Sequence, residues 1–376
     1  MAVLPFAFFI AYGVMSIPAG LLIEKYQEKP VMVAAFGVAF VGSSMLALFP
    51  NYLTAIGSLF LIGSGMAMLQ VAINPLLREA GGEEHFAFNA TVAQLIFGAA
   101  SFLSPLVYSY LVRRLAQESP DANLLITTLS RVVPADVPWI SLYWLFAVIA
   151  LLMIGVVGIS RIPRVERRPD ERVGAFATHL ALLRNPTVTL FFLGIFAYVG
   201  LEQGVANWIS EFLSTYHGYD PQTTGARAVA WFWGLMTVGG IAGVVLLKLL
   251  DSKIVLVLFT SAAVLSLSAA LLMSGPVARL AFPVVGFFAS VMWPVIFSLA
   301  LNSVAEHHGS FSGILVTGII GGAIVPLIVG GLGDLVGLRA GMLFLYLPMV
   351  YILSIGFWAR PLIRNVTIQS RKKDGA

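Results

Sequence analysis

The chain has 376 residues and no cysteine, and only 22 basic and 18 acidic side chains. The first absence excludes a disulfide framework, thiolate metal sites and thiol nucleophiles. The second is as informative: 11% charged residues, against about 25% in a soluble domain, cannot coat a water-exposed surface of this size. Histidine is scarce too, and His85, His179, His307 and His308 fall in predicted loops with no metal-ligand spacing. With no nucleophile and base pair either, neither an enzyme nor a bound cofactor or metal is expected.

What remains is apolar. Hydrophobic residues make up 59% of the chain, and the mean hydropathy is +0.92. Crossing about 30 Å of hydrocarbon takes about 20 residues of helix. Runs of that length recur at 4–24, 31–49, 53–77, 87–112, 138–160, 187–213, 226–250, 253–274, 279–303, 311–333 and 340–360. A barrel strand would alternate instead, and lipid offers backbone groups no partners, so each run is expected to be a membrane helix in an all-α integral membrane protein. The first run lacks a basic leading segment and a small-residue cleavage site, and is read as a membrane helix and not as a signal peptide.

The basic balance, net charge +4, would suggest nucleic acid in a soluble chain. Here its distribution carries another meaning. Assigning span ends alternately to two sides places 16 Lys and Arg on one and 6 on the other, and the richer side is expected to face the cytoplasm, with the C-terminus on it. The membrane implied is a bacterial inner membrane; no nucleic-acid partner is expected, and a monomer in lipid is. The longest break, RIPRVERRPDERVGAFATHLALLRNP at 161–186, is basic and ends in a short amphipathic run. It divides the chain into a bundle at 1–160, a linker at 161–186, a second bundle at 187–361 and a tail at 362–376.

Five spans and six invite a search for repeats. GLLIEKYQEKP (20–30) and GVVLLKLLDSK (243–253) each end a span on the basic side with aliphatics followed by mixed charge. Prolines pair as well, Pro75 with Pro105 and Pro294 with Pro326. The halves superpose if the first span is the second helix of a six-helix bundle.

Charge at the bilayer centre is costly, so an intramembrane carboxylate marks a cavity or a partner. Glu202, in IFAYVGLEQGVANWISEF (195–212), stands with Gln203 and Asn207 inside a span. Amides and carboxylates read hydroxyl groups, and an aromatic face covers the C–H side of a ring. Trp293 and Trp208 lie at a suitable depth, whereas Trp139, Trp144, Trp231 and Trp233 fit an interfacial belt. Asn74, beside Pro75, suits repair of the backbone that the proline interrupts. Asn302, at a span end, suits capping or packing. Gly63, Gly65, Gly239, Gly240, Gly243, Gly318, Gly321 and Gly322 permit close helix approach, either at a moving interface or in static packing.

Two bundles around a basic linker resemble the major facilitator superfamily. FFIAYGVMSIPAGLLIEKY (8–26), GMAMLQVAINPLL (65–77), YVGLEQGV (198–205), GFFASVMWPVIFSLAL (286–301) and GSFSGILVTGIIGGAIVPLIVGGLGD (309–334) resemble, within it, the bacterial fucose, galactose and glucose permeases, which are sugar:proton symporters. The resemblance implies a fold of twelve helices, of which the first would be absent from this chain, leaving helices two to six and seven to twelve. It implies alternating access with a monosaccharide bound near the midplane by Gln70, Asn74, Gln94, Glu202, Gln203, Asn207 and Trp293. In the symporters resembled, an acidic residue stands where this chain has Gln70, and an asparagine where it has Phe97; Gln70 cannot carry a proton. Glu202 is left as the proton-coupling candidate. Glu24, Lys25, Lys248, Asp251 and Lys253 would latch the cytoplasmic gate or anchor helix ends. The alternatives are a facilitator or exporter of another small polar solute, and a truncated, non-transporting membrane protein.

Overall fold

The structure is a computed structural model that describes residues 3–115, 124–162, 181–305, 307–363, 365 and 367. The linker expected at 161–186 and the tail at 362–376 fall largely outside these residues. Among the described residues the regular structure is helical throughout: α1 (Val3–Tyr26), α2 (Glu28–Leu48), α3 (Tyr52–Gly81), α4 (Phe86–Leu115), the short α5 (Leu124–Leu129), α6 (Ser141–Ile159), α7 (Pro186–His217), α8 (Ala226–Leu249) and α9 (Ser252–Leu272). The last three spans are each made of two helices, α10 (Gly275–Ala289) with α11 (Met292–Leu301), α12 (His308–Thr317) with α13 (Gly321–Val336), and α14 (Leu338–Leu343) with α15 (Tyr346–Trp358). Ten of the helical segments are long and apolar enough to cross a membrane, and α4 adds a further 30-residue helix.

Local chemistry sets the ends. Asn51 accepts from Thr54 N at 3.0 Å and closes a reciprocal cap on α3. Asn185 and Pro186 start α7, and Gly218 ends it with φ 67°, a conformation that costs glycine nothing. Two of the three breaks inside spans follow proline: Pro294 has no N–H for Ser290, where α10 gives way to α11, and Pro348 has none for Phe344, where α14 gives way to α15.

The helices form two bundles, α1–α6 and α7–α15, each packed mainly on itself. Most of the glycines singled out serve packing within a bundle. A Cβ on Gly239 would sit 2.1 Å from Phe287 O, and one on Gly321 2.2 Å from Phe196 O. The bundles meet where α1 and α3 lie against α12 and where α4 lies against α8 and α11. Both seams run from the end bearing the basic excess toward the middle of the molecule. Gly313 on α12 packs against Ser16 O and Gly20 on α1, and Thr91 on α4 lies beside Gly243 on α8. Gly98 packs on Thr237, and from Gln94 onward a cavity separates the walls.

Candidate functional site

That cavity has a volume of about 550 Å³ and is walled by both bundles, within the range of small-molecule sites. It reaches from Gln94, about two turns from the basic end of α4, to Ala226, the first residue of α8 at the opposite end. From the first bundle come Tyr12 on α1, Gln70 on α3 and Gln94 with Phe97 on α4. From the second come Tyr198, Glu202 and Gln203 on α7, Trp233 on α8 and Trp293 on α11.

The α7 contribution follows from helix periodicity: 198, 199, 202 and 203 recur at i, i+1, i+4 and i+5, which places them on one face. Glu202 is 8% exposed, the one carboxylate on the cavity wall among the described residues. Tyr198, one turn away, interacts with it through its hydroxyl, which is buried. The Tyr198 ring lies 6.2 Å from that of Trp293, which lies 5.4 Å from that of Phe297. Gln70 Oε1 is buried with no hydrogen-bond partner among the described residues.

Of the seven residues expected to bind substrate, the structure brings Gln70, Gln94, Glu202, Gln203 and Trp293 to this cavity. Asn74 is elsewhere. It is buried and donates to Gln70 O at 2.6 Å, one turn back on its own helix. The carbonyl that Pro75 leaves free is that of Val71, and its donor is the Ser312 hydroxyl of the other bundle, at 3.3 Å. Asn207, one turn beyond Gln203, is exposed and outside the lining. Trp208 is not in the cavity either; its Nε1 donates to Pro326 O at 3.1 Å, tying α7 to α13. Trp233, expected at the interface, lines the cavity because it stands two turns into α8 from the open end. Tyr12 and Tyr198 were missed, since a tyrosine in an apolar run carries no signal of its own.

The basic end is closed by polar contacts between bundles. Arg78 Nη1 pairs within its own bundle with Glu83 Oε1 at 2.7 Å, and its Nε donates across to Asn302 Oδ1 at 3.1 Å. Asn302 Nδ2 donates to Glu83 O at 3.1 Å, so its carboxamide clamps the α3–α4 turn from α11. Glu24 Oε1 accepts from Ser310 N at 3.1 Å, at the positive end of α12. Lys248 Nζ sits 4.0 Å from the centre of the Phe88 ring on α4. Of the expected latch residues, then, Glu24 and Lys248 reach the other bundle. Asp251 instead caps α9 through Lys253 N at 2.8 Å, because it immediately precedes that helix. Lys253 Nζ donates to Ala359 O at 2.7 Å, at the end of α15, and Lys25 lies over the neighbouring Tyr26 ring at 5.0 Å. Asn302, read as capping or packing, joins the bundles.

Two bundles around a cavity sealed at one end define a class. The family description Major Facilitator Superfamily matches residues 1–319, and the chain belongs to that superfamily. It is 31% identical over 356 residues to a protein of Brucella abortus named glucose/galactose transporter, covering 93% of this chain and 83% of that one. It is 25% identical to the L-fucose-proton symporter of Escherichia coli, over 88% of this chain and 78% of that one. Its fold superposes on the crystal structure of the E. coli fucose:proton symporter in the outward conformation with a TM-score of 0.81, at 22% identity, covering 95% of this chain and 89% of that one. The chain is a membrane transporter of this alternating-access fold and not an enzyme.

Proposed function

We propose that the protein is a monosaccharide permease of a bacterial inner membrane, with its basic end and C-terminus in the cytoplasm. The sugar enters the 550 Å³ cavity from outside, and the bundles then rock about it. The observation that carries this reading is the wall itself. Three amides, one carboxylate and two tyrosines can read hydroxyls, while Trp233 and Trp293 offer ring faces to the C–H side of a pyranose. The names of the relatives support the same substrate class. Gln70, Gln94, Gln203 and Trp293 are assigned as sugar ligands, and Glu202 as ligand and proton carrier. It is the carboxylate of the cavity wall, and neutralising a carboxylate there removes the cost of moving a charge through the bundle interface.

Uptake of labelled hexoses and deoxyhexoses by proteoliposomes of this chain, with and without an inward proton gradient, tests the reading. One sugar is expected to be taken up faster under the gradient, and Glu202→Gln to abolish that stimulation while leaving exchange of the sugar at equal pH measurable. Stimulation that survives in Glu202→Gln would remove the proton-carrier assignment. No uptake of any sugar by folded protein would remove the permease reading.

A further inference from the structure

Where the chain leaves α15 it turns across the basic face of the second bundle and is bonded there at three residues. Ala359 O accepts from Lys253 Nζ at 2.7 Å. Leu362 N donates to Asn302 O at 2.7 Å. Asn365 Oδ1 accepts from Ser252 N at 3.0 Å, and its Nδ2 donates to Leu247 O and to Leu250 O, each at 3.3 Å. One carboxamide thus uses its acceptor and both its donors. Its partners are the first N–H of α9 and two carbonyls at the end of α8, groups that a helix end leaves without partners of its own. A chain end stays in place only where it is tied down, and two of these ties fall on, or beside, a residue that reaches the first bundle.

We infer that Leu362 and Asn365 are positioning residues for the gate: the chain end straps the second bundle and holds Asn302 and Lys248 where they meet the first, favouring the state closed at the basic end. The inference rests on the reading of that end as the gate. Asn302 stands where α11 stops, so its carbonyl has no partner in the helix ladder until Leu362 N supplies one. Its side chain accepts from Arg78 Nε and donates to Glu83 O. The strap therefore grips the backbone of the residue whose carboxamide grips the other bundle. Lys248 lies between Leu247 and Leu250, the two residues whose carbonyls Asn365 holds, and its ammonium meets the Phe88 ring of α4. The Leu362 side chain is not what fixes the strap, because that residue is 67% exposed. A gate residue whose backbone is already ordered loses less freedom when it meets its partner, so the strap makes closure less costly.

The test reads both ends of the molecule at once. Thr91 lies on α4 beside Gly243 of α8, and Ala230 lines the cavity one turn from its open end. Thiol labelling of Thr91→Cys and of Ala230→Cys is measured in purified full-length protein carrying Leu362→Pro, which deletes one N–H, Asn365→Ala, Leu362→Ala or Asn302→Ala. Leu362→Pro and Asn365→Ala are each expected to raise Thr91→Cys labelling about three- to tenfold and to lower Ala230→Cys labelling. Leu362→Ala keeps the bond and should stay near wild type. Opposite changes at the two reporters mark a shifted equilibrium, whereas a merely structural role would loosen both. Because Leu362 acts through Asn302, Leu362→Pro should add little to Asn302→Ala, while Asn365→Ala, acting through Lys248, should add in full. If Leu362→Pro does not fold, Asn365→Ala carries the test. Unchanged labelling in the strap variants, or a parallel rise at both reporters, would overturn the inference and leave the gate reading standing where Asn302→Ala still gives opposite changes. If Asn302→Ala gives none, the gate reading fails and the strap with it.

Discussion

The two ends of the bundle interface are built from different materials. At the basic end the halves are joined by directional polar groups, Arg78 to Asn302, Asn302 to Glu83, Glu24 to Ser310 and Ser312 to Val71. Around the cavity the facing surfaces are aromatic rings and amides with space between them. A seal of hydrogen bonds is closed or open, with little between, since each bond weakens steeply away from its best geometry. Rings and amides around a gap tolerate a range of separations. The first material suits a gate and the second a site that must close on a ligand, so the permease reading proposed above assigns switching and recognition to different places on the interface.

The sharpest way to break this contrast is to remove the charge in the seal. Arg78→Ala leaves the Asn302 carboxamide and the Glu83 carboxylate without their shared partner. Of these contacts only the charged Arg78–Asn302 hydrogen bond crosses between the bundles, so the loss that bears on opening is that of one such bond, about 1.5–3 kcal/mol. That corresponds to a shift of roughly ten- to hundredfold toward the state open at the basic end. The chain lacks cysteine, so single reporters are read without background. Thr91→Cys, buried at the α4 seam, should label faster in the Arg78→Ala protein, and Ala230→Cys, on the cavity wall, more slowly. Equal labelling at both positions would show that the seal does not set the equilibrium.

A smaller effect is expected from steric pressure on the same seam. A Cβ at Gly313 would come within 2.7 Å of Ser16 O, a backbone atom that cannot rotate away. Overpacking of this kind costs about 1–3 kcal/mol, and because α1 and α12 belong to different bundles, the molecule can relieve it by parting them. Gly313→Ala should therefore raise Thr91→Cys labelling about tenfold while leaving thermal stability nearly unchanged. Gly321→Ala, whose Cβ would strike Phe196 O inside one bundle, has no such relief and should lower stability instead. The reverse pattern would place α12 in the static core.

The spans were legible because length and hydropathy are summed over many residues, and lipid leaves helix as the only outcome. Glu202, Gln203 and Trp293 were legible for a related reason: a polar or bulky aromatic group deep in an apolar run stands out against its neighbours. The seal was not legible. Arg78 and Asn302 are 224 positions apart, each stands at a helix end where a polar residue is ordinary, and only the juxtaposition of α3 and α11 gives them a meaning. The same holds in reverse for Asp251 and Lys253, which look like gate charges by analogy with Glu24 and Lys25 but sit where a helix start and a helix end need them. Tyr198 was hidden because a tyrosine in an apolar run looks like any core aromatic until the fold sets it on the cavity wall beside Glu202.

The finest test of the contrast concerns Ser312. Pro75 lacks the N–H that would otherwise occupy Val71 O, and the Ser312 hydroxyl takes that place from across the interface at 3.3 Å. Two stretches that carried the family resemblance, QVAINP and GSFSGILV, are thus two sides of one contact. At this length the bond belongs at the low end of the usual 0.5–1.5 kcal/mol, so Ser312→Ala should raise Thr91→Cys labelling only about two- to threefold. Ser312→Thr, which keeps the hydroxyl, should stay near wild type. Pro75→Ala gives Val71 a donor within its own helix, so it should weaken the cross-bundle bond by a similar factor, and adding Ser312→Ala to it should change little more. Fully additive effects would mean that the proline and the serine act separately, and that the freed carbonyl is not the acceptor joining the bundles.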